Sequence, residues 1–311
     1  MIIECKICGV KVEDNSHFWR THKLQAVEYF QTHHPRYDLF DGSLIKFKSK
    51  EQYFTTDFNS PVNLKKWLES KPVDEIQEYC SNVLKRRKER KGLTYAPSQV
   101  ELRSLKLPGV NYYNKIFGDY NKLCRELGLY NKFDINAGSS IKIVEGSAPK
   151  QLKILCDSRE QKILDLNHPI KIQGLKFGDY CLEKPEMSSS IYIERKSAAD
   201  LIGTFSGGFE RVCREIERAR DAGAYLFFLV EESLSNCLSF NKLPHVYKKN
   251  TKVTPDYIFR NIRDVIQKYP CIQFLFVKDR SESARILKKI LFSGGVAKQI
   301  DCQALYDANR L

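Results

Sequence analysis

The chain has 311 residues, enough for two or three modules and at least one sizeable core. It carries 51 Lys and Arg against 38 Asp and Glu; the formal charge of +13 is spread over both halves and points to a polyanionic partner. No apolar run is long enough to span a bilayer, and the N-terminus lacks the charged-then-apolar plan of a secretory leader, so a cytoplasmic and not a secreted or membrane protein is expected. The 10 cysteines are mostly scattered singly, as reduced buried thiols are, apart from Cys5 and Cys8.

Residues 1–72 read as a zinc-finger-like module followed by a β-hairpin. Cys5-Lys6-Ile7-Cys8-Gly9 is a Cys-x-x-Cys knuckle, and His17 and His22 follow with finger-like spacing between them. Cys5, Cys8, His17 and His22 are the candidate ligands of a structural Zn²⁺, with His33 or His34 as substitutes for one histidine. So small a module has little core, and the metal would contribute much of its folding energy. Apolar residues at helical spacing over Phe18–Phe30 predict a helix, and Gly42–Phe58 reads as a hairpin.

Residues 73–131 read as a basic helix leading into a helical module. The helix predicted over Glu75–Lys91 ends in a basic run, so Lys85, Arg86, Arg87, Lys88, Arg90 and Lys91 are candidate phosphate contacts. Ser98 and Glu101 form a capping box that starts a short helix, and Leu107-Pro108-Gly109 breaks it. A second helix runs to Phe117, stopped by Gly118; Asp119 caps a third, closed by Gly128. The pattern Pro-Ser … Leu-Arg … Leu-Pro … Tyr-x-Lys-x-Phe-Gly-x-Tyr-Asn-Lys … Leu-Gly-Leu resembles the repeat associated with homing endonucleases of phages and mobile introns. That resemblance implies DNA binding, to which Arg103, Lys115 and Lys122 are assigned as further contacts. Residues 132–150 read as a linker.

Residues 151–311 carry the elements of an α/β sheet. Lys153–Asp157 is a short apolar strand that runs into Ser158-Arg159-Glu160. Gly178-Asp179 opens a strand over Tyr180–Leu182, and the chain returns through a hairpin into Ser190–Lys196. Strand alternation puts Tyr192, Glu194 and Lys196 on one face and Ile191, Ile193 and Arg195 on the other. Two carboxylates that meet across a hairpin suit Mg²⁺ or Mn²⁺, since such ions bind through one or two acids and keep waters and substrate oxygens. Ser197 reads as a helix N-cap; Asp200, in the first turn, is either a capping acid or a site residue. Glu160 reads as a lesser candidate or a first-turn helix acid. Ala224–Val230 is an almost continuous apolar strand, as for a central strand covered on both faces. Further helices follow around Phe209–Ala219, Ile258–Ile266 and Ser281–Phe292, with a strand at Ile272–Val277. Ile286, Leu287, Ile290 and Leu291 on the last helix serve either a homodimer through this domain or the core.

The sequence Gly178-Asp179 … Glu194-Arg195-Lys196-x-x-x-Asp200, with the upstream Asp157-x-Arg159-Glu160, resembles the nuclease domain of the XPF/Mus-type structure-specific endonucleases over roughly 152–292. The resemblance implies a restriction-endonuclease-like core, a central mixed sheet flanked by helices. It implies Asp157, Asp179 and Glu194 as metal ligands and Lys196 as the lysine that positions water. Arg159 and Arg195 would contact phosphate or hold the carboxylates. The implied function is a metal-dependent DNA endonuclease leaving 5′-phosphate and 3′-hydroxyl ends. Members of the family often carry a tandem helix-hairpin-helix domain after this core, and the 311 residues leave no room for one. Recognition of duplex or branched DNA is therefore expected of the N-terminal modules, as in a phage or mobile-element homing-type nuclease acting in the host cytoplasm. A flap or junction nuclease of repair or recombination is the alternative, and a catalytically silent DNA-binding protein a third reading.

Overall fold

Runs of β-branched and aromatic residues alternate with amphipathic stripes, and in the computed structural model each becomes a strand or a helix. The structure describes residues 3–36, 44, 46–50, 53, 68–105, 107–133, 143, 151–188, 190–240 and 253–311. They divide into two compact units: Met1–Val83 with Leu105–Leu107, and Leu84–Ser104 with Pro108–Leu311. The hairpin expected over Gly42–Phe58 and the linker over 132–150 fall largely outside the described residues. Among those described, no helix is long and apolar enough to cross a membrane.

The first unit opens with an antiparallel pair, β1 (Ile3–Glu4) and β2 (Lys11–Val12). Two helices follow, α1 (Ser16–His22) and α2 (Ala26–His33), where the apolar spacing predicts one. The break is a left-handed cap: Lys23 has φ 56°, and the Lys23 and Leu24 N–H groups donate to the Trp19 and Phe18 carbonyls. Gln25 and Glu28 then start α2 with a capping box. The turn folds Tyr29 back onto Phe18, the rings stacking 3.8 Å apart, and these two with Cys5, Val12 and Phe30 form the small core.

The basic helix is α3 (Val73–Lys91). In the second unit come α4 (Gln99–Ser104), α5 (Val110–Phe117) and α6 (Tyr120–Glu126), with the capping box and the Asp119 cap in the expected places. Six strands then form one mixed sheet: β3 (Ile154–Asp157), β4 (Ile170–Gln173), β5 (Tyr180–Leu182), β6 (Ile191–Lys196), β7 (Tyr225–Val230) and β8 (Ile272–Phe276), in the spatial order β4-β3-β5-β6-β7-β8. Only β5 runs against its neighbours; the β3–β4, β6–β7 and β7–β8 pairs are parallel. The flanking helices are α7 (Ala198–Thr204), α8 (Phe209–Asp221), α9 (Pro255–Lys268), α10 (Arg280–Leu291) and α11 (Cys302–Asp307). Every residue of β7 is buried, as its apolar run requires. Ile286, Leu287, Ile290 and Leu291 are buried within this chain, so the apolar face of α10 belongs to the core and not to a partner. The sequence reading did not anticipate β4 or α11; β4 is a four-residue, half-exposed edge strand without the apolar signal of a buried one.

Helix α4 would be marginal alone, but all of it except Arg103 is buried. Arg87 from α3 donates to Glu101 at 2.5 Å and to the Tyr95 carbonyl at 3.1 Å, while Gln267 of α9 also reaches Glu101. Arg263 donates to Ser104, and the Gln99 backbone N–H to Asp301 at 2.6 Å. Val100 sits in the main core with Phe228 and Phe274. Because the Arg87 and Glu101 side chains are almost wholly buried, removing one strands the other's charge. Glu101→Ala should lower the unfolding free energy by about 3–5 kcal/mol, read from the urea midpoint at constant m value.

Candidate active site and metal centres

The site is built by the reversed strand. Because β5 runs antiparallel, its first end lies at the same sheet edge as the last residues of β3, β6 and β7. The Asp157 N–H donates to the Asp179 carbonyl at 2.8 Å, and the Asp179 N–H to the Ile193 carbonyl at 2.8 Å. Gly178 makes this approach sterically tolerable: it has φ +58°, and a Cβ there would sit 2.8 Å from the Ile193 carbonyl oxygen. The Glu231 N–H continues the row by donating to the Lys196 carbonyl. Asp157, Asp179, Glu194, Lys196 and Glu231 therefore line one open, polar cleft of about 1160 Å³.

Each acid is held differently. Asp157 is buried, and both of its oxygens are engaged. Oδ1 accepts from the Arg159 backbone N–H at 2.8 Å and side-chain Nε at 2.7 Å, and Oδ2 from the Leu175 N–H at 2.7 Å and an Arg159 terminal nitrogen at 3.2 Å. The Arg159 guanidinium, helped by these backbone donors, holds its carboxyl down at about 2. Asp179 Oδ2 accepts from the Arg195 N–H at 2.7 Å. Burial, and then the negative charge of Glu194, push the Asp179 carboxyl up to about 7. Lys196 donates to Glu194 at 2.5 Å, so the face alternation expected of β6 is realised. On the opposite face Arg195, only 10% exposed, binds Glu231 at 3.1 Å and Glu160 at 3.4 Å.

The structure brings all seven expected residues to this cleft, in distinct positions. Asp179 and Glu194 line it side by side, and such a pair suits a divalent cation that binds through one or two carboxylates. Asp157 is occupied by Arg159, whose side chain is exposed at the rim. Arg195 holds carboxylates. Asp200 accepts from the Ser197 hydroxyl at 2.7 Å, and its N–H donates to Ser197 at 3.2 Å, an exposed cap of α7. Glu160 follows a turn and starts no helix. The sequence reading missed Glu231 and Arg280, which meet at 3.7 Å. Glu231 stands one residue beyond β7, where the strand ends of an α/β sheet collect site groups, and that position was its signal.

In the first unit, Cys5, Cys8, His17 and His22 present donor atoms that all lie within 4.8 Å of one another, the one such group of three or more thiol, imidazole or carboxylate donors among the described residues. Both Sγ–Nε2 pairs, Cys5–His22 and Cys8–His17, stand at 3.4 Å. Tetrahedral zinc with ordinary bond lengths separates S and N ligands by about 3.5 Å, so the quartet fits that ion. Burial pushes the Cys5 thiol up, but the Ile7 and Cys8 N–H groups and His17 outweigh it and bring it down to about 6. His33 and His34 are outside the quartet.

Of the basic residues expected to meet DNA, Lys85, Arg103, Lys115 and Lys122 are exposed. Arg87 is buried against Glu101 and is removed from that set, because its charge is already used inside the fold. Lys88 is half-buried and donates to the Leu127 carbonyl. The side chains of Arg86, Arg90 and Lys91 lie outside the described residues.

A family model described as "ERCC4 domain" matches residues 156–290. Among solved structures, the chain is similar to XPF from Aeropyrum pernix in complex with DNA, with 18% identity over 45% of this chain and 64% of that one and a TM-score of 0.35. It is similar also to XPF from Aeropyrum pernix alone, with 19% identity over 44% and 64% and a TM-score of 0.33. The chain thus spans 64% of the length of each archaeal structure. No curated protein matches it.

A folded-state value of about 7 for Asp179 lies above the usual carboxylate range, so its contribution to stability is present at low pH and is lost as pH rises through about 7. In chelator, the urea midpoint of wild type should fall between pH 6 and pH 8 by more than that of Asp179→Asn; parallel behaviour would refute the assignment. Metal analysis should find about one equivalent of zinc in wild type and none in Cys5→Ser/Cys8→Ser.

Proposed function

We propose that this chain, whose residues 156–290 form an ERCC4 domain, is a metal-dependent DNA endonuclease that leaves 5′-phosphate and 3′-hydroxyl ends. The observation that carries the reading is the convergence of Asp179, Glu194 and the Glu194-bound Lys196 at one sheet edge, in a cleft open to a polymer. Asp179 and Glu194 hold the cation. When bound, Mg²⁺ or Mn²⁺ neutralises charge on the phosphate undergoing displacement. Lys196, fixed by Glu194, orients the attacking water. Arg159 at the rim contacts phosphate and, by exchanging Asp157 for it, releases a third acid. Arg195 keeps the end of β6 in register through Glu160 and Glu231, and Asp200 caps the helix that follows.

The N-terminal modules direct the cut, as in a site-directed, homing-type nuclease of a phage or mobile element. What supports this is the single helical repeat, bonded through buried groups to the helices that cover the sheet. The net charge of +13 suits a duplex ligand.

Wild type incubated with plasmid and Mg²⁺ or Mn²⁺ should nick or linearise it. Asp179→Ala and Glu194→Ala should abolish cleavage, and Lys196→Ala should slow it by about 100-fold or more. Wild-type rates in both acid variants would remove this site. Cleavage confined to flaps and junctions in a mapped panel of duplex and branched DNAs would replace the site-directed reading. An intact panel would leave a DNA-binding protein with a silent nuclease fold.

A further inference from the structure

Beside the cleft lies a second cavity, a groove of about 530 Å³ in the same unit with a mixed polar and apolar lining. One wall is the helical repeat, with Arg103 of α4 and Asn111 of α5; the other is the chain leaving β7 at Ser233 and β8 at Lys278. We propose that this groove is a subsite for the DNA backbone flanking the scissile phosphate, and that it sets the distance between the repeat's contact and the cut. The proposal rests on the endonuclease reading and adds its substrate path.

The groove continues the cleft along one sheet edge. Glu231 lines the cleft and Ser233, two residues on, lines the groove; Arg280 lines the cleft and Lys278, two residues before it, lines the groove. The Val277 N–H donates to the Val230 carbonyl at 3.0 Å, which keeps the two strand exits side by side. Strands in a sheet stand about 4.8 Å apart, so the β8 exit lies roughly 10 Å from the end of β6 that carries Lys196. At about 3.4 Å of rise per nucleotide, that is about three nucleotides from the reacting phosphate.

The chemistry of the groove suits phosphate. Arg103 is the exposed residue of an otherwise buried helix, and Lys278 and Asn111 are exposed beside it. Neither the Arg103 nor the Lys278 side chain makes a hydrogen bond or an ion pair among the described residues. The acid in the groove wall, Asp307, already accepts from Gln99 at 2.6 Å and Gln303 at 2.8 Å. These are neutral amides, so two cations face one carboxylate, and the cations are the groups free to reach outward.

The wall is also rigid. Gln99 donates from its backbone to Asp301 and from its side chain to Asp307, and accepts from the Val110 N–H at 2.8 Å. One glutamine thereby ties α4, α5 and α11 together. A strand that lies on Arg103 and Lys278 is held at a set offset from Lys196, without a hinge between them.

The test uses the full chain with Arg103→Gln/Lys278→Gln, both exposed positions, and thermal melts to confirm folding. Binding is measured by titrating a duplex into Asp179→Ala protein with and without the two neutralisations, across a salt series. The slope of log K against log salt should fall by about 1.8, two phosphate contacts at about 0.9 each. In the active protein KM should rise about 10-fold or more with a much smaller change in kcat and the mapped cut position should become heterogeneous, while the charge-keeping Arg103→Lys/Lys278→Arg should stay close to wild type. An unchanged slope and KM would overturn the proposal. So would an equal loss from neutralising Lys171 on β4 and Lys288 on α10, which lie outside the groove and report general charge alone. Failure of the parent reading looks different: wild type leaves every DNA intact, while the binding slopes still decide the groove.

Discussion

The cleft of the second unit depends on one strand that runs against its neighbours. Were β5 parallel to its neighbours, Asp179 would stand at the far end of the sheet from Glu194 and Asp157. Reversal brings the start of β5 beside the ends of β3 and β6, and two backbone hydrogen bonds through Asp157 and Asp179 fix the register. Gly178 is what permits the approach, since any side chain there would strike the Ile193 carbonyl. The glycine of the Gly-Asp pair is thus as much a part of the site as the aspartate, although it carries no chemistry.

Gathering acids at one edge has an electrostatic cost, and the surrounding residues distribute it. Asp157 is neutralised by Arg159 and backbone donors, while Glu160 and Glu231 share Arg195 on the opposite face. Glu194 has Lys196. The Asp179 carboxylate accepts from the Arg195 N–H, and burial together with the Glu194 charge raises it well above the usual carboxylate range.

The same economy of buried charge organises the helical repeat. Glu101 caps its own helix and also receives Arg87 and Gln267, so a short helix becomes a fixed wall of the second unit. In the first unit the Cys and His quartet shares Cys5 with the buried cluster of Val12, Phe18, Tyr29 and Phe30, so a bound metal would add directly to the packing there.

Much of this was legible in local sequence. The capping box of Ser98 and Glu101, the caps at Asp119 and Ser197, and the alternation that pairs Glu194 with Lys196 follow from residue spacing over three or four positions, because short-range geometry sets them. The Cys-x-x-Cys knuckle and the two histidines were legible for the same reason. The roles of charged residues far apart in the chain were not. Arg87 looks like one more member of a basic run and is instead buried against Glu101; Glu231 looks like an exposed strand end and is a partner of Arg195. The break at Lys23 and the edge strand β4 escaped too, since a left-handed cap on a lysine and a half-exposed four-residue strand carry weak local signals. By itself, then, the sequence determined most of the elements, their caps and the residue types of both candidate metal centres, through propensity and periodicity. Only the tertiary structure decided which acids stay open and which cations are consumed, because burial and partner choice depend on what the rest of the chain places beside each charge.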